Sequence, residues 1–231
     1  MVRFSKPSWL ALVALVAGCG AVDPTGGLPA GDAQLAVINA LPAGTVASLV
    51  LDDEASTLPS PGTRTTRVTP AGSHRLEARA EGGRVVASAN FAIAEGSRRT
   101  AILGGSVMGP VVSLVVGADT ASLPVGNAVK VRVVHTVIST PTLEAWLAPQ
   151  GAVIDSAARL VSPFDYGVGL SGILPGYVVR SPGTYNVRVT NLATGAVQAE
   201  QLVTMSAGQV WSVVLTRRAD GELELVAIQE H

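Results

Sequence analysis

Gln34-Leu-Ala-Val-Ile-Asn39 and Lys130-Val-Arg-Val-Val-His135 alternate in the same phase, and each leads through a short loop into a second alternating run, Val46 to Asp52 and Thr142 to Ala148. Further on, Pro70-Ala-Gly-Ser-His-Arg-Leu-Glu-Ala-Arg79 lines up with Pro182-Gly-Thr-Tyr-Asn-Val-Arg-Val-Thr190, and Glu95-Gly96-Ser97 answers Ala207-Gly208-Gln209. Order and spacing agree, which is the mark of an internal duplication. Period-two alternation bounded by Gly, Pro, Asp and Asn reads as half-buried strands. Leu76, Ala78 and Ala80 face one way and Arg75, Glu77 and Arg79 the other; in the second copy Tyr185, Val187 and Val189 oppose Asn186, Arg188 and Thr190. The best helical run, Asp155 to Leu160, is too short to hold alone. About seven strands per copy is the strand number of an immunoglobulin-like domain. The expected fold is therefore all-β, two tandem immunoglobulin-like antiparallel β-sandwiches over residues 33–118 and 128–231, the second with an inserted loop over 149–172. Asp119 to Asn127, rich in turn formers, divides them.

The single cysteine, Cys19, closes an apolar run that follows Arg3 and Lys6. That run is too short to span a hydrocarbon core, which needs roughly 20 helical residues, so residues 1–18 read as an export signal. The ending Leu15-Val16-Ala17-Gly18-Cys19 resembles the lipobox of bacterial lipoproteins. That resemblance implies a diacylated Cys19 as the first mature residue, membrane attachment through its lipid, and, with Gly20 rather than aspartate next, the outer membrane. An ordinary cut near Gly20 or Ala21 is the competing reading. Residues 19–32, dense in Gly and Pro, form a flexible tether. With Cys19 acylated, no thiol remains for a disulfide, a thiolate metal site or a nucleophile.

Hydrophobic residues make up 48% of the 231 and charged ones 14%, ample for a core and unlike a disordered chain. The formal net charge is −1 and becomes more negative once Arg3 and Lys6 are cleaved away. No basic face for nucleic acid is implied.

Val131-Arg-Val-Val-His135, Pro141-Thr-Leu-Glu-Ala-Trp146, Pro182-Gly-Thr-Tyr-Asn-Val-Arg188 and Ala207-Gly-Gln-Val-Trp211 together resemble the repeat of the bacterial domain of unknown function 4397 family. The first copy departs from it, with Asn39 for His135 and His74 for Tyr185. The resemblance implies an exported or cell-surface β-sandwich without an assigned activity.

Candidate chemistry is sparse. Gly167-Val-Gly-Leu-Ser-Gly172 fits a dinucleotide pattern but is followed by Ile173, Leu174 and Pro175 rather than a helix, so it is read as chance. Asp52-Asp53-Glu54 reads as a solvated hairpin turn rather than a cation loop, which needs six or more ligands. His74 lies on the apolar side of its strand and reads as a satisfied core or interface histidine. His135 ends a strand, and a triad around it can be judged only in the fold. No cofactor, metal or catalytic set is expected. The aromatics are more informative, because the second copy holds Trp146, Phe164, Tyr166, Tyr177, Tyr185 and Trp211. Trp146 shares a face with Thr142 and Glu144 and should point away from its own core, where it either stacks on a sugar or anchors a partner, or is buried against the first copy or under the inserted loop; Trp211 is undecided. Trp146, Phe164, Asp165 and Tyr166 are thus the candidate binding residues, for an envelope protein or polysaccharide. The alternatives are an envelope spacer with no ligand and, further off, a hydrolase.

Overall fold

The computed structural model describes residues 29–105, 112–118, 122–152, 154–166 and 174–231. Cys19, the signal segment, most of the tether and the Gly167–Gly172 motif lie outside the described residues.

The duplication is complete at the level of strands. The first unit comprises β1 (Asp32–Asn39), β2 (Ser48–Leu51), β3 (Glu54–Ser56), β4 (Thr63–Pro70), β5 (Gly72–Arg79), β6 (Val85–Ile93), β7 (Arg98–Gly105) and β8 (Val112–Ala118). The second comprises β9 (Val129–His135), β10 (Leu143–Pro149), β11 (Arg159–Phe164), β12 (Val178–Arg180), β13 (Gly183–Asn191), β14 (Val197–Met205), β15 (Val210–Arg217) and β16 (Leu223–Gln229). Sheet orders β4-β1-β7-β8 and β3-β2-β5-β6 recur as β12-β9-β15-β16 and β11-β10-β13-β14. Each unit is a two-sheet sandwich, and the fold of the described residues is all-β. The Asp155–Leu160 segment supplies only a 3-10 turn at Ser156–Ala158.

Two details differ from the expectation of seven antiparallel strands. The eighth strands are the three-residue β3 and β12, too short to carry a period. The pairings β1 with β7 and β9 with β15 are parallel, and side-chain alternation is the same for either strand direction, so the sequence pattern is blind to it.

Alternation decides which face of each strand enters its own core. In β1, Ala33, Leu35 and Val37 pack with Leu49, Leu51, Leu76 and Leu103 inside the first sandwich. In β9, Val131 and Val133 pack with Leu143, Leu147, Val187 and Val213 inside the second. Trp211 has the parity of Val213 and Leu215 and packs against that second core. Asp52 and Asp53, both with positive φ, form the two-residue turn between β2 and β3, as type I′ hairpins require.

The opposite faces are buried as well. Ile38, Ala40 and Ile102 from the first unit meet Val134, Val214 and Ile228 from the second, so β1 and β9 are covered on both sides, which is why their sequences run nearly continuously apolar. The sheets containing β1 and β9 therefore press back to back. At the tightest point Thr136 Oγ1 donates to Leu215 O (2.7 Å) and accepts from Gly105 N (3.1 Å), while Thr216 Oγ1 donates to Gly105 O (3.0 Å). A Cβ on Gly104 would lie 2.0 Å from Thr136 Oγ1 and 2.6 Å from Thr136 Cβ. In register, Gly104 corresponds to Thr216 and Ala40 to Thr136, so small residues of the first unit make room for threonines of the second. Gly104→Ala should therefore cost about 3 kcal/mol, the upper part of the usual overpacking range, measured as a shift in urea midpoint against wild type. A loss under 0.5 kcal/mol would show that the junction relaxes freely.

A polar cluster flanks this apolar contact. Arg132, on the junction face of β9, donates through Nε to Ser212 Oγ (2.6 Å) and through Nη2 to Glu230 Oε1 (2.9 Å). Its guanidinium lies 4.5 Å from the Tyr177 ring centroid. Tyr177 OH donates to the same carboxylate oxygen (2.9 Å), as does Ser212 Oγ. From the first unit, Arg64 Nη1 donates to Glu230 O (3.0 Å).

Candidate functional site

Strand β10 sets Leu143, Ala145 and Leu147 into the core and Glu144 and Trp146 on the outer face of its sheet. Trp146 is paired with Arg188 on β13 and Arg159 on β11, so a guanidinium-bearing residue stands on each side of the indole. Arg159 lies over the ring, 5.1 Å from its centroid, a cation–π geometry. Trp146 Nε1 donates to Thr190 Oγ1 (2.9 Å). The surrounding charges are tied down. Ser162 Oγ donates to Glu144 Oε1 (2.6 Å), and Arg188 Nη2 donates to Glu200 Oε1 (3.0 Å), which Asn186 Nδ2 also reaches. The hydrogen bonds from Arg188 and then Asn186 hold the Glu200 carboxyl below its usual range despite some burial. Along the edge strand β14, Val197 and Leu202 are exposed. The result is a half-buried aromatic in a fixed frame of paired charges, bordered by exposed aliphatic side chains. In the first unit the equivalent position, opposite Glu77, is Val50.

The other three candidates do not join this surface as a group. Phe164 is 1% exposed and belongs to the second core, which removes it as a binding residue. It stands at the end of β11 opposite Leu143, and the two side chains enter the same core. Asp165 is exposed. Tyr166 is half-buried, and its hydroxyl pairs with Ser113 Oγ of β8 at 2.7 Å, so it ties the inserted segment to the first unit.

His135 is 1% exposed. Its Nδ1 accepts from Val137 N (3.2 Å), which leaves Nε2 as the donor to Thr140 Oγ1 (3.0 Å). Phe164 and Tyr166 pack on the ring, with centroids at 5.1 and 6.5 Å. Burial pushes its pKa down to about 4. The nitrogen that a carboxylate would orient in a Ser-His-Asp triad is taken by a backbone N–H, so no triad is centred on His135. Asn39 plays the same role in the first unit, its Oδ1 accepting from Leu41 N (3.0 Å) and its Nδ2 donating to Pro59 O (2.9 Å). His74 is likewise satisfied, between Asp52 Oδ2 (2.6 Å) and Pro70 O (2.9 Å). At Asp52, burial raises the carboxyl's pKa, but the His74 and Arg75 hydrogen bonds and nearby positive charge outweigh it and leave it lowered. No group of three or more His, Cys, Asp or Glu side chains suited to a metal ion occurs among the described residues.

One concavity was not visible in the sequence. An open cleft of about 460 Å³ lies at the junction of the two units, lined by the β1–β2 loop, Pro61 and Gly62, and the β15–β16 hairpin. Its walls come from segments far apart in the chain and acquire meaning only once the units dock.

Residues 33–146 match the family model described as Domain of unknown function (DUF4397). Over these residues the chain is similar to that family. The match takes in the whole first unit, including Asn39 and His74, and ends at Trp146 in β10 of the second, so the divergence of the first copy does not abolish the similarity. No curated protein matches the chain. Among solved structures, the chain is similar to one from work on alpha-glucan recognition by family 41 carbohydrate-binding modules from streptococcal virulence factors. The identity is 9%, covering 83% of this chain and 95% of that one, with a TM-score of 0.28; so slight a likeness supports no argument about ligand.

Proposed function

We propose that this protein is a noncatalytic binding module of the bacterial cell envelope, anchored in the outer membrane through diacylated Cys19, that engages an envelope protein or polysaccharide through the sheet face centred on Trp146. The observation that carries the reading is the outward placement of Trp146 between Arg159 and Arg188, where the duplicated unit has only Val50. Tryptophan and arginine in a half-desolvated frame are the side chains that concentrate binding energy at interfaces. Trp146→Ala should weaken co-sedimentation of the purified soluble domain with isolated envelopes at least tenfold. The fold should tolerate the change, losing about 1 kcal/mol for the Thr190 hydrogen bond plus the packing of a half-buried ring. Unchanged co-sedimentation would overturn the surface. Cys19→Ser should release the protein from membranes and abolish incorporation of labelled palmitate, and continued membrane retention after a salt wash would overturn the anchor.

A spacer role is the second reading, favoured by the back-to-back junction that fuses the two sandwiches into a single body. It predicts a stoichiometric protein neighbour in crosslinked cells that Trp146→Ala does not remove.

A further inference from the structure

The cleft at the junction of the units has features that the Trp146 surface lacks. Its volume, about 460 Å³, lies within the range of small-molecule sites, which favour domain junctions and apolar linings. Leu41, Pro42, Pro61 and Val226 provide apolar wall, and Arg218 and Glu224 are its charged lining residues.

Both walls are fixed by hydrogen bonds. Asn39 holds the first from inside the fold: its side chain binds Leu41 N and Pro59 O, and its carbonyl accepts from Gly62 N (2.7 Å). The second wall is the β15–β16 hairpin, closed by Arg218 N to Glu222 O (2.8 Å) and by Arg217 Nη1 to Gly221 O (2.6 Å). A cavity with preset walls spends little ordering entropy on a ligand.

The charges are not equivalent. The Arg218 guanidinium pairs with Asp220 at 3.4 Å, whereas the Glu224 carboxylate has no hydrogen bond or ion pair among the described residues. Partial burial raises the Glu224 pKa, with Arg218 lowering it and Asp220 raising it further. This partly buried carboxylate feels the Arg218 charge but makes no hydrogen bond or ion pair with it, so it is the group in this cleft that can pair with a ligand's cation.

We propose that the cleft binds a small organic cation with an apolar body, an aryl- or branched alkyl-ammonium, its nitrogen against Glu224 and its hydrocarbon against Leu41, Pro42, Pro61 and Val226. The site stands at the end of β1 remote from the tether, eight residues away or roughly 26 Å at 3.3 Å per residue.

Three probes of matched size decide the matter by calorimetry and saturation-transfer NMR: phenethylamine, phenethyl alcohol and 3-phenylpropanoate. The amine should bind with a Kd on the order of 1 mM, the alcohol about tenfold more weakly, and the carboxylate not detectably. Glu224→Gln should bring the amine to the level of the alcohol and leave the alcohol unchanged. Ala219→Trp, which fills the cleft, should abolish all binding, while Trp146→Ala should leave amine binding intact. Equal binding of amine and carboxylate to the wild type, no amine binding at tenfold excess over that Kd, or full amine binding to Glu224→Gln overturns the proposal. The wild-type comparison alone decides it if Glu224→Gln does not fold.

Discussion

Glu230→Ala is expected to destabilise the protein by about 3–5 kcal/mol, the usual loss when one partner of a buried ion pair is removed. Arg132 and Glu230 have side chains 1% and 0% exposed, and their contact at 2.9 Å is supported by Ser212 and Tyr177 on the same carboxylate oxygen. Without Glu230, the guanidinium keeps Ser212 Oγ and the Tyr177 ring but has no counter-charge, and both hydroxyls lose their acceptor. The first unit carries an apolar alternative, since its position equivalent to Arg132 is Ala36, 2% exposed. Arg132→Leu combined with Glu230→Leu should accordingly recover most of the loss, because a well-packed apolar pair replaces a buried ionic one at little net cost. Urea unfolding of both variants measures this. A single-variant loss under 1 kcal/mol, or a double variant no better than the single, would show that the cluster does not hold the junction.

The same comparison of copies explains what was legible in the sequence. Alternation in Leu76-Glu77-Ala78-Arg79 or Tyr185-Asn186-Val187 reports one core-facing side directly, so the strands, the duplication and the all-β class could be read from residue order. What alternation cannot report is a second buried face. Arg132 looks like a solvent-facing charge in a half-buried strand and Glu230 like a charge past the last one, yet both are buried where Ser212, Tyr177 and Arg64 of the other unit gather on them. Gly104 carries no signal without Thr136 beside it. Among the aromatics, the parity of Trp146 was readable from Leu143, Ala145 and Leu147, whereas Phe164 lies at the end of an irregular β10–β11 pairing, where period and face are uncoupled. The junction cleft was invisible because its walls belong to different copies.

The second large effect is acid lability from His135. In the unfolded chain its imidazole titrates at the ordinary 6.5, and in the fold burial lowers the value to about 4. The folded state therefore binds fewer protons between these limits, so stability rises with pH across that window. Its contribution is complete above pH 6.5 and is lost as pH falls toward 4, a total of about 3 kcal/mol at 1.36 kcal/mol per pH unit. The lowered carboxyls of Asp52, Glu77 and Glu200 add losses of the same sign, but these belong to the carboxylate range and fall mostly below the histidine window. Wild type alone does not separate the two. His135→Asn does, because asparagine supplies the same strand-end acceptor that Asn39 offers to Leu41 N in the first unit and does not titrate. Asparagine leaves space beside Phe164, so the variant should be less stable than wild type at pH 7. Between pH 6.5 and pH 4.5 it should nonetheless lose about 2 kcal/mol less than wild type does. Parallel stability curves for the two proteins over that interval would mean that His135 is free to protonate in the fold, and that the Val137 N–H and the rings of Phe164 and Tyr166 do not hold it neutral.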